Sequence, residues 1–449
     1  MLNLKRREIR IELTTKPGLA AWESSMRHEI IEPLFSMDAK ELKDFSRRAE
    51  DQLFGHILPF WCGPALDREQ GGWVGWLSND LKPDRSQPKG LIVNARILWA
   101  FSAVHQSRPE KLFQQMADRA FDFVMDKFWD AQSGGAFWRL DDTGRVIDDS
   151  KKIYGQAFCI YALAEFHRAF GDAAALARAK EVFELIERHA HDAKFGGYIE
   201  ICNRDWSEAG PDARLSDKDM SEKKSMNNHL HVLEAYTNLN RVWKSPRVEQ
   251  RLRELLRLFQ ERILNARALH FHHFFDEAWN VRSDTYTFGH DIEGTWLLCE
   301  AAEILGDEAL LKSMHATAVR MAEVALNEGV ASDGALCYEG KGGKIIDPGK
   351  ECWPQAEAVI GLLNAFQLSG DNKFLAAARR VWNFIEDKLV DRVHGEWFWR
   401  IAPEGRVDAT LPKVSEWKGP YHGTRACLEI IHRLQTISNS STQPTQFKP

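Results

Sequence analysis

Apolar residues recur along most of this chain with helical spacing, in two alternating styles. One style is nearly continuous, as in LIVNARILWAFSAVH from residue 91 and IYGQAFCIYALAEFHRAF from residue 153. The other is an apolar stripe on a charged background, as in KLFQQMADRAFDFVMDKF from residue 111, KEVFELIERHA from residue 180 and RVEQRLRELLRLFQERI from residue 247. A helix that is apolar on every side is covered on every side, whereas a striped one turns its charged face to water. The chain therefore reads as inner and outer helices in alternation. With residues 38–57 at the front and 418–435 at the back, the number of helices comes to about twelve.

Loops with a shared signature separate the helix pairs. The signature is loose, an aspartate followed by glycine and then an aromatic residue, with the fourth and fifth copies degenerate: DREQGGW from Asp67, DAQSGGAFW from Asp130, DAKFGGY from Asp192, DEAWN from Asp276, DGALCY from Asp333 and DRVHGEWFW from Asp391. Their spacings run from 57 to 84 residues. Repetition at that period marks a repeat architecture, with one helical hairpin per repeat. Six hairpins closed into a ring make an all-α (α/α)6 barrel, a single domain over residues 38–435. Residues 1–37 are expected to be an appended N-terminal extension and residues 436–449 a disordered tail, whose sequence includes SSTQPTQFKP. The longest interval holds a polar stretch over residues 202–224, a candidate lid.

Composition narrows the function. A hydrophobic fraction of 44% and a formal charge of -6 argue against disorder and against a nucleic-acid partner. Seven cysteines without CxxC spacing give neither a disulfide framework nor a zinc ribbon, which suits a reducing compartment. The N-terminal residues lack the apolar core of a secretory signal, and no run of about 18 apolar residues offers a membrane span. The expectation is a cytoplasmic protein with no membrane partner. The sequence does not specify an oligomeric state.

Polar and aromatic residues cluster near the start of every inner helix: Arg96, Gln156, His231, His290 with Glu293, Trp353 with Glu357, and His422, separated by 59 to 75 residues. Inner helices of such a ring run roughly parallel, so their N-terminal ends meet at one mouth and these residues converge on one cavity. A single histidine on an apolar helix is usually a hydrogen-bonded core residue; three at matching positions in separate repeats point to chemistry. His229 is expected to support the inner wall, and His270, His272 and His273 to belong to a loop. No HExxH occurs, the HxH of residues 229–231 diverges on a helix, and no GxGxxG or Walker lysine is present, so neither a metal nor another cofactor is expected. Trp296, Trp353, Trp399 and Trp417 are suited to packing on pyranose rings, with loop packing a strong competing role for Trp399. Glu293 and Glu357 also form a candidate pair for glycoside hydrolysis.

KSMNNHLHVLEAYTNL, FGHDIEGTWLL, WPQAEAVIGLL, GEWFW and EWKGPYHGTRACLEI resemble, in order, the motifs of cellobiose 2-epimerases in the N-acylglucosamine 2-epimerase superfamily. The resemblance runs from about residue 40 to 435 and implies the same (α/α)6 barrel. It implies an enzyme that inverts C2 of the reducing-end glucose of β-1,4-linked disaccharides, turning cellobiose into glucosylmannose and lactose into epilactose. His290 and His422 would be the general acid and base, with His231 also catalytic. Arg96, Glu293, Trp296, Trp353, Glu357 and Trp417 would bind the sugar. Cys352 stands where the family pattern leads one to expect a second tryptophan before Trp353, and residues 423 and 424 also depart from it. The implied chemistry opens the sugar ring, lets a neutral histidine take the C2 proton, stabilises the enediolate by Arg96, and returns a proton from a protonated partner histidine. A mannose aldose–ketose isomerase, a glycoside hydrolase on the same barrel and a sugar-binding protein are the alternative readings.

Overall fold

The computed structural model describes residues 38–441 except Pro211, Ala213 and Lys218. Twelve long helices follow one another among them: α1 (Ala39–Gln52), α2 (Leu91–Ser107), α3 (Lys111–Phe123), α4 (Ile153–Phe170), α5 (Ala173–His189), α6 (Met226–Val242), α7 (Pro246–Leu258), α8 (Phe288–Leu305), α9 (Glu308–Val324), α10 (Cys352–Ser369), α11 (Asn372–Phe384) and α12 (Tyr421–Ser441). Even-numbered helices touch in succession, and α12 returns to α2, so they close an inner ring. Odd-numbered helices lie against them outside. Five hairpins are sequential, from α2–α3 to α10–α11. The sixth joins the two ends of the described chain, with α1 packed on α12. The fold is an (α/α)6 barrel.

Burial follows the two sequence styles. Every residue of α2 from Leu91 to Val104 is buried, because neighbours and the ring axis surround it. In α7 only Val248, Leu252, Leu255 and Leu256 are buried, one stripe at helical spacing. Three inner helices end on a left-handed glycine followed directly by an aspartate: Gly171–Asp172, Gly306–Asp307 and Gly370–Asp371. Glycine adopts that conformation without a Cβ clash, and the aspartate side chain accepts an N–H from the first turn of the outer helix. Two residues thus reverse the chain.

Short antiparallel strand pairs stitch each repeat to the next at the mouth. Lys89–Gly90 pairs with Arg139–Leu140, Lys151–Lys152 with Ile201–Cys202, Lys224–Ser225 with Phe274–Phe275, and Lys350–Glu351 with Arg400–Ile401. Under these loops lie buried ion pairs that recur from repeat to repeat. Lys89 Nζ meets Asp67 at 2.7 Å, Lys151 meets Asp130 at 3.1 Å, Lys224 meets Asp192 at 2.7 Å, and Lys413 meets Asp391.

The repeat assignment needs one correction. The fourth signature loop starts at Asn265 and not at Asp276. Asn265 Oδ1 accepts the N–H groups of Arg267 and Ala268, as Asp192 accepts those of Lys194 and Phe195. Where Gly196 has φ of 74°, Leu269 has φ of 62°, so the fourth copy makes its turn without glycine and its signature disappears from the sequence. Asp276 belongs to a second hairpin, equivalent to the one at Asn203: in both a tryptophan N–H, Trp279 or Trp206, returns to its carbonyl.

Helix α12 runs to Ser441, six residues into the stretch expected to be a tail. The apolar spacing Ile430, Leu434, Ile437 carries its buried face that far. Residues 1–37 and 442–449 lie outside the described residues. No helix among the described residues is long and apolar enough to cross a membrane.

Candidate active site

Two rows of side chains at the start of the inner helices separate scaffold from cavity. In α4, α6, α8 and α10 the fourth residue turns outward and fastens a loop. Gln156 bonds both N–H and C=O of Ala136, Gln355 does the same to Leu336, His229 accepts from Tyr198 N at 2.9 Å, and Asp291 accepts from Phe271 N at 2.8 Å. Gln156 is thereby removed from the expected cavity set. The sixth residue, two positions on, faces the axis: Arg96, Phe158, His231, Glu293 and Glu357. Phe158 takes the place where Gln156 was expected, 4.5 Å from the Arg96 guanidinium.

A cavity of about 380 Å³ opens at the N-terminal ends of the ring. Arg96, His231, His290, Glu293, Trp353, Trp417 and His422 all line it. The ring of Trp353 lies 4.8 Å from that of His290 and 5.7 Å from that of His422, so one indole is bracketed by both histidines. Trp399, with sugar packing and loop packing both open to it from sequence, lines the cavity as well. Glu351 fixes both indoles by accepting from Trp353 Nε1 at 3.0 Å and Trp399 Nε1 at 3.3 Å. Leu215, Ser216 and Asp219 of the polar stretch border the mouth, and Lys152 Nζ holds that stretch through the carbonyls of Arg214 and Leu215.

Two of the expected sugar-binding residues sit beneath the cavity instead. Glu357 is fully buried and accepts from Trp296 Nε1 at 3.1 Å. Its Oε1 also accepts His422 Nδ1–H at 2.7 Å, which leaves Nε2 of that imidazole as the open nitrogen. Trp296 is buried under the Arg425 guanidinium, 4.7 Å away. Glu357 and Trp296 both lie deeper along their helices than His290, Trp353 and His422, which stand at the second or third position and reach the mouth.

Arg425 is the residue that sequence reading passed over. Its Nη2 donates to Glu293 Oε1 at 2.5 Å and to Glu357 Oε1 at 2.7 Å, and its Nη1 reaches Glu234 and Tyr421. Glu234 in turn bonds His231 Nδ1 at 2.7 Å. All three histidines of the expected catalytic set have their Nδ1 held: His231 by Glu234, His422 by Glu357, and His290 by Thr287 Oγ1 at 2.6 Å. The signal for Arg425 was available as the lone cation in the apolar run RACLEII, three residues after His422; Glu234 is likewise the lone acid in HLHVLEAY. Glu293, Glu357 and His422 have the spacing of a metal-ligand set, but both carboxylates already accept from a guanidinium that occupies the position of a cation.

Burial sets the protonation pattern. It drives His422 and His290 well below the usual histidine range, aided by Arg96 and Arg425 at His422 and by His273, His231 and His422 at His290. His231 is lowered for the same first reason. Both histidines of the expected acid–base pair are therefore neutral near pH 7, where the sequence reading assigned one of them a proton. Burial raises Glu293 well above the carboxylate range, and neighbouring Glu357 raises it further. Glu234 goes the other way: burial opposes ionisation, yet Arg425 and His231 hold it at about 2. One guanidinium thus serves three carboxyl groups, and burial disfavours ionisation at each of them.

Behind His290 a side cavity of about 280 Å³ is lined by His273, Thr287 and Asn227. His273, expected only as a loop residue, accepts Thr287 N–H and sits edge-on to His290 at 5.7 Å. His270 forms a separate cluster, bonded to Asp291 at 2.7 Å and stacked on Tyr286 at 3.5 Å.

The sequence model of a family described as N-acylglucosamine 2-epimerase (GlcNAc 2-epimerase) matches residues 72–426. Among curated proteins, the cellobiose 2-epimerase of Bacteroides fragilis is 41% identical over 85% of this chain and 97% of its own length. That of Dictyoglomus turgidum is 37% identical over 89% of this chain and 100% of its own. Among solved structures, the cellobiose 2-epimerase from Spirochaeta thermophila superposes with a TM-score of 0.82 at 40% identity, covering 89% of this chain and 98% of that one.

Proposed function

We propose, for a chain that belongs to the N-acylglucosamine 2-epimerase family and is an epimerase, that it inverts C2 of the reducing-end glucose in a β-1,4-linked disaccharide. Cellobiose is the lead substrate, because the relatives of 35–41% identity carry that name, and lactose is the second. His290 and His422 are its base and acid. The reading rests on one observation: both imidazoles line the same cavity and bracket the same indole.

The chemistry follows from the protonation pattern. Once the ring opens, the aldehyde makes the C2 hydrogen acidic, and a neutral imidazole Nε2 takes it as a proton. The electron pair left at C2 delocalises onto O1 as an enediolate. Arg96, held by Trp417 O at 3.2 Å and Tyr154 OH at 3.0 Å, offers fixed positive charge to that oxygen. The histidine that took the proton is now an imidazolium. The proton returns to the opposite face of C2, by rotation about C2–C3 before the same imidazolium gives it back, or through relay to the second histidine. Trp353, Trp399 and Trp417 supply flat faces for the two sugar rings. Seven free cysteines support the expected reducing, cytoplasmic setting.

Glycoside hydrolysis is disfavoured by the same geometry. Its two carboxyls must flank a glycosidic oxygen, whereas Glu293 and Glu357 meet at one Nη2 of Arg425 and Glu357 lies under His422. Incubation with cellobiose in D₂O, followed by proton NMR, tests the reading. Deuterium at C2 with a new mannose-type anomeric signal is the expected result. A ketose signal would indicate isomerisation and free glucose hydrolysis, and either result alone would replace the proposal.

A further inference from the structure

The three histidines of the site have Nδ1 held, but not by the same kind of group. His231 and His422 meet carboxyl oxygens of Glu234 and Glu357, each at 2.7 Å, whereas His290 meets the hydroxyl of Thr287 at 2.6 Å. A carboxylate accepts a proton and keeps it; a hydroxyl accepts one and donates its own, so it passes a proton on. With Nε2 of His290 open toward the sugar, Nδ1–H donates to Thr287 Oγ1. No other protein group bonds that oxygen among the described residues, and Thr287 lines the side cavity, so the hydroxyl hydrogen is left to it.

The side cavity suits water. Glu200, Glu222, His273, Ser283 and Thr285 give it polar walls, and its volume of about 280 Å³ compares with roughly 30 Å³ for one water molecule. It reaches the surface at Met220, which is 43% exposed. His290 lines both cavities and stands between them. Thr287 is fixed there by its N–H, which donates to His273 Nε2 at 3.2 Å, and by strand pairing with Glu339. Burial holds His273 at about 4, so near pH 7 it stays neutral and does not retain a passing proton. His290 itself has reason to shed charge: burial first, then His273, His231, His422 and Arg96 around it, all oppose an imidazolium.

We propose that Thr287 and the side cavity form a proton outlet for His290, an inference that rests on the reaction proposed above. As the C2–H bond breaks, its electron pair enters the enediolate and its proton bonds to Nε2. In the same step the Nδ1–H proton moves to Thr287 Oγ1, and the proton of that hydroxyl moves to water in the side cavity and on to bulk. One proton enters the imidazole and one leaves, so the ring stays neutral with its hydrogen shifted from Nδ1 to Nε2. The chain runs backwards for the epimer whose C2 receives its proton from His290. Thr287 lines the side cavity and not the catalytic one, so it acts through His290.

The test compares kcat in H₂O and in D₂O for wild type, Thr287→Val and Thr287→Ser, with cellobiose carrying deuterium at C2 so that the C2 step governs the rate. The Thr287 side chain makes no cap bond to α8, so valine keeps the shape and removes only the hydroxyl; thermal melts check the fold. Thr287→Val is expected to lose about tenfold or more in kcat, less than the ~10²–10⁴ of a missing histidine, with little change in KM. Wild type and Thr287→Ser should both be slowed by D₂O, and Thr287→Val should lose that slowing because no solvent proton moves in its C2 step. Wild-type kcat in Thr287→Val overturns the outlet, and so does a reduced kcat with the solvent effect intact, which is what a purely structural role would give. A loss confined to KM also overturns it, by assigning the side cavity to sugar. Absence of C2 inversion in wild type removes the proposed reaction and the outlet with it, whereas inversion with any of the other three results removes the outlet alone.

Discussion

The fourth and sixth residues of the inner helices stand two positions apart and obey different rules. At the fourth position the repeats share one role, in that Gln156, His229, Asp291 and Gln355 each clamp the loop of a neighbouring repeat. At the sixth they agree in nothing but direction, and Arg96, Phe158, His231, Glu293 and Glu357 each bring a different group to the axis. In a repeat protein, a polar residue whose partner recurs from copy to copy is scaffold, and one whose partner changes is chemistry. His229 and His231 make the point within a single turn. The first accepts a backbone N–H and is held at about 3 by burial, and the second meets a carboxylate and lines the cavity.

The comparison breaks most visibly if the cavity row can be changed without loss. His290→Ala and His422→Ala are each expected to lower kcat by about 10²–10⁴-fold while the melting temperature stays near wild type, as read by the NMR assay and by thermal scans. Retained turnover in either would remove that histidine from the mechanism. Arg425→Met should act on both rows at once. It removes the one cation shared by three buried carboxyl groups, so a loss of roughly 3–5 kcal/mol in urea unfolding is expected together with loss of turnover.

The scaffold row should behave in the opposite way. Gln355→Ala leaves the N–H and C=O of Leu336 unpaired, at a cost of about 1–3 kcal/mol in unfolding free energy, with kcat within about threefold of wild type. A large fall in kcat at unchanged stability would erase the distinction between the rows. Acid sharpens it further. Burial holds His273 at about 4 and His229 at about 3, below the unfolded value of about 6.5, so the stability they lend is complete above pH 6.5 and is lost as pH falls toward 4 and then 3. The urea midpoint should drop over that interval. The acid limb of kcat/KM, which reports His290 and His422, should also lie below about pH 6.5, because a neutral base is lost only when pH falls through its lowered pKa. The smallest effect on turnover is expected at Leu269→Gly, which lies outside the cavity lining; loss of a buried leucine side chain outweighs relief of its positive φ, so the urea midpoint should fall while kcat stays near wild type.

The barrel was legible because burial is written into periodicity: α2 and α7 differ in sequence in the same way that they differ in exposure. Seven of the nine expected site residues line one cavity for a related reason, since a polar group on an otherwise apolar inner helix has few places to go. The rest was hidden by rules that spacing does not carry. Gln156 looked like a cavity residue because a shift of two positions is invisible without the neighbouring loop. The turn at Asn265 was missed because leucine there holds a conformation that glycine usually marks. Arg425 and Glu234 escaped because their meaning comes from partners more than a hundred residues away, and protonation depends on the sum of such partners.

Closure of the ring by α1 and α12 has a temporal consequence. Ribosomes deliver the chain in order, and the helix bearing His422 and Arg425 is the last of the twelve to emerge. Until it docks between α2 and α10, the carboxyl groups at 234, 293 and 357 lack the guanidinium that joins them. Catalytic competence in this molecule therefore arrives in one late step of biosynthesis, when the two ends of the barrel meet.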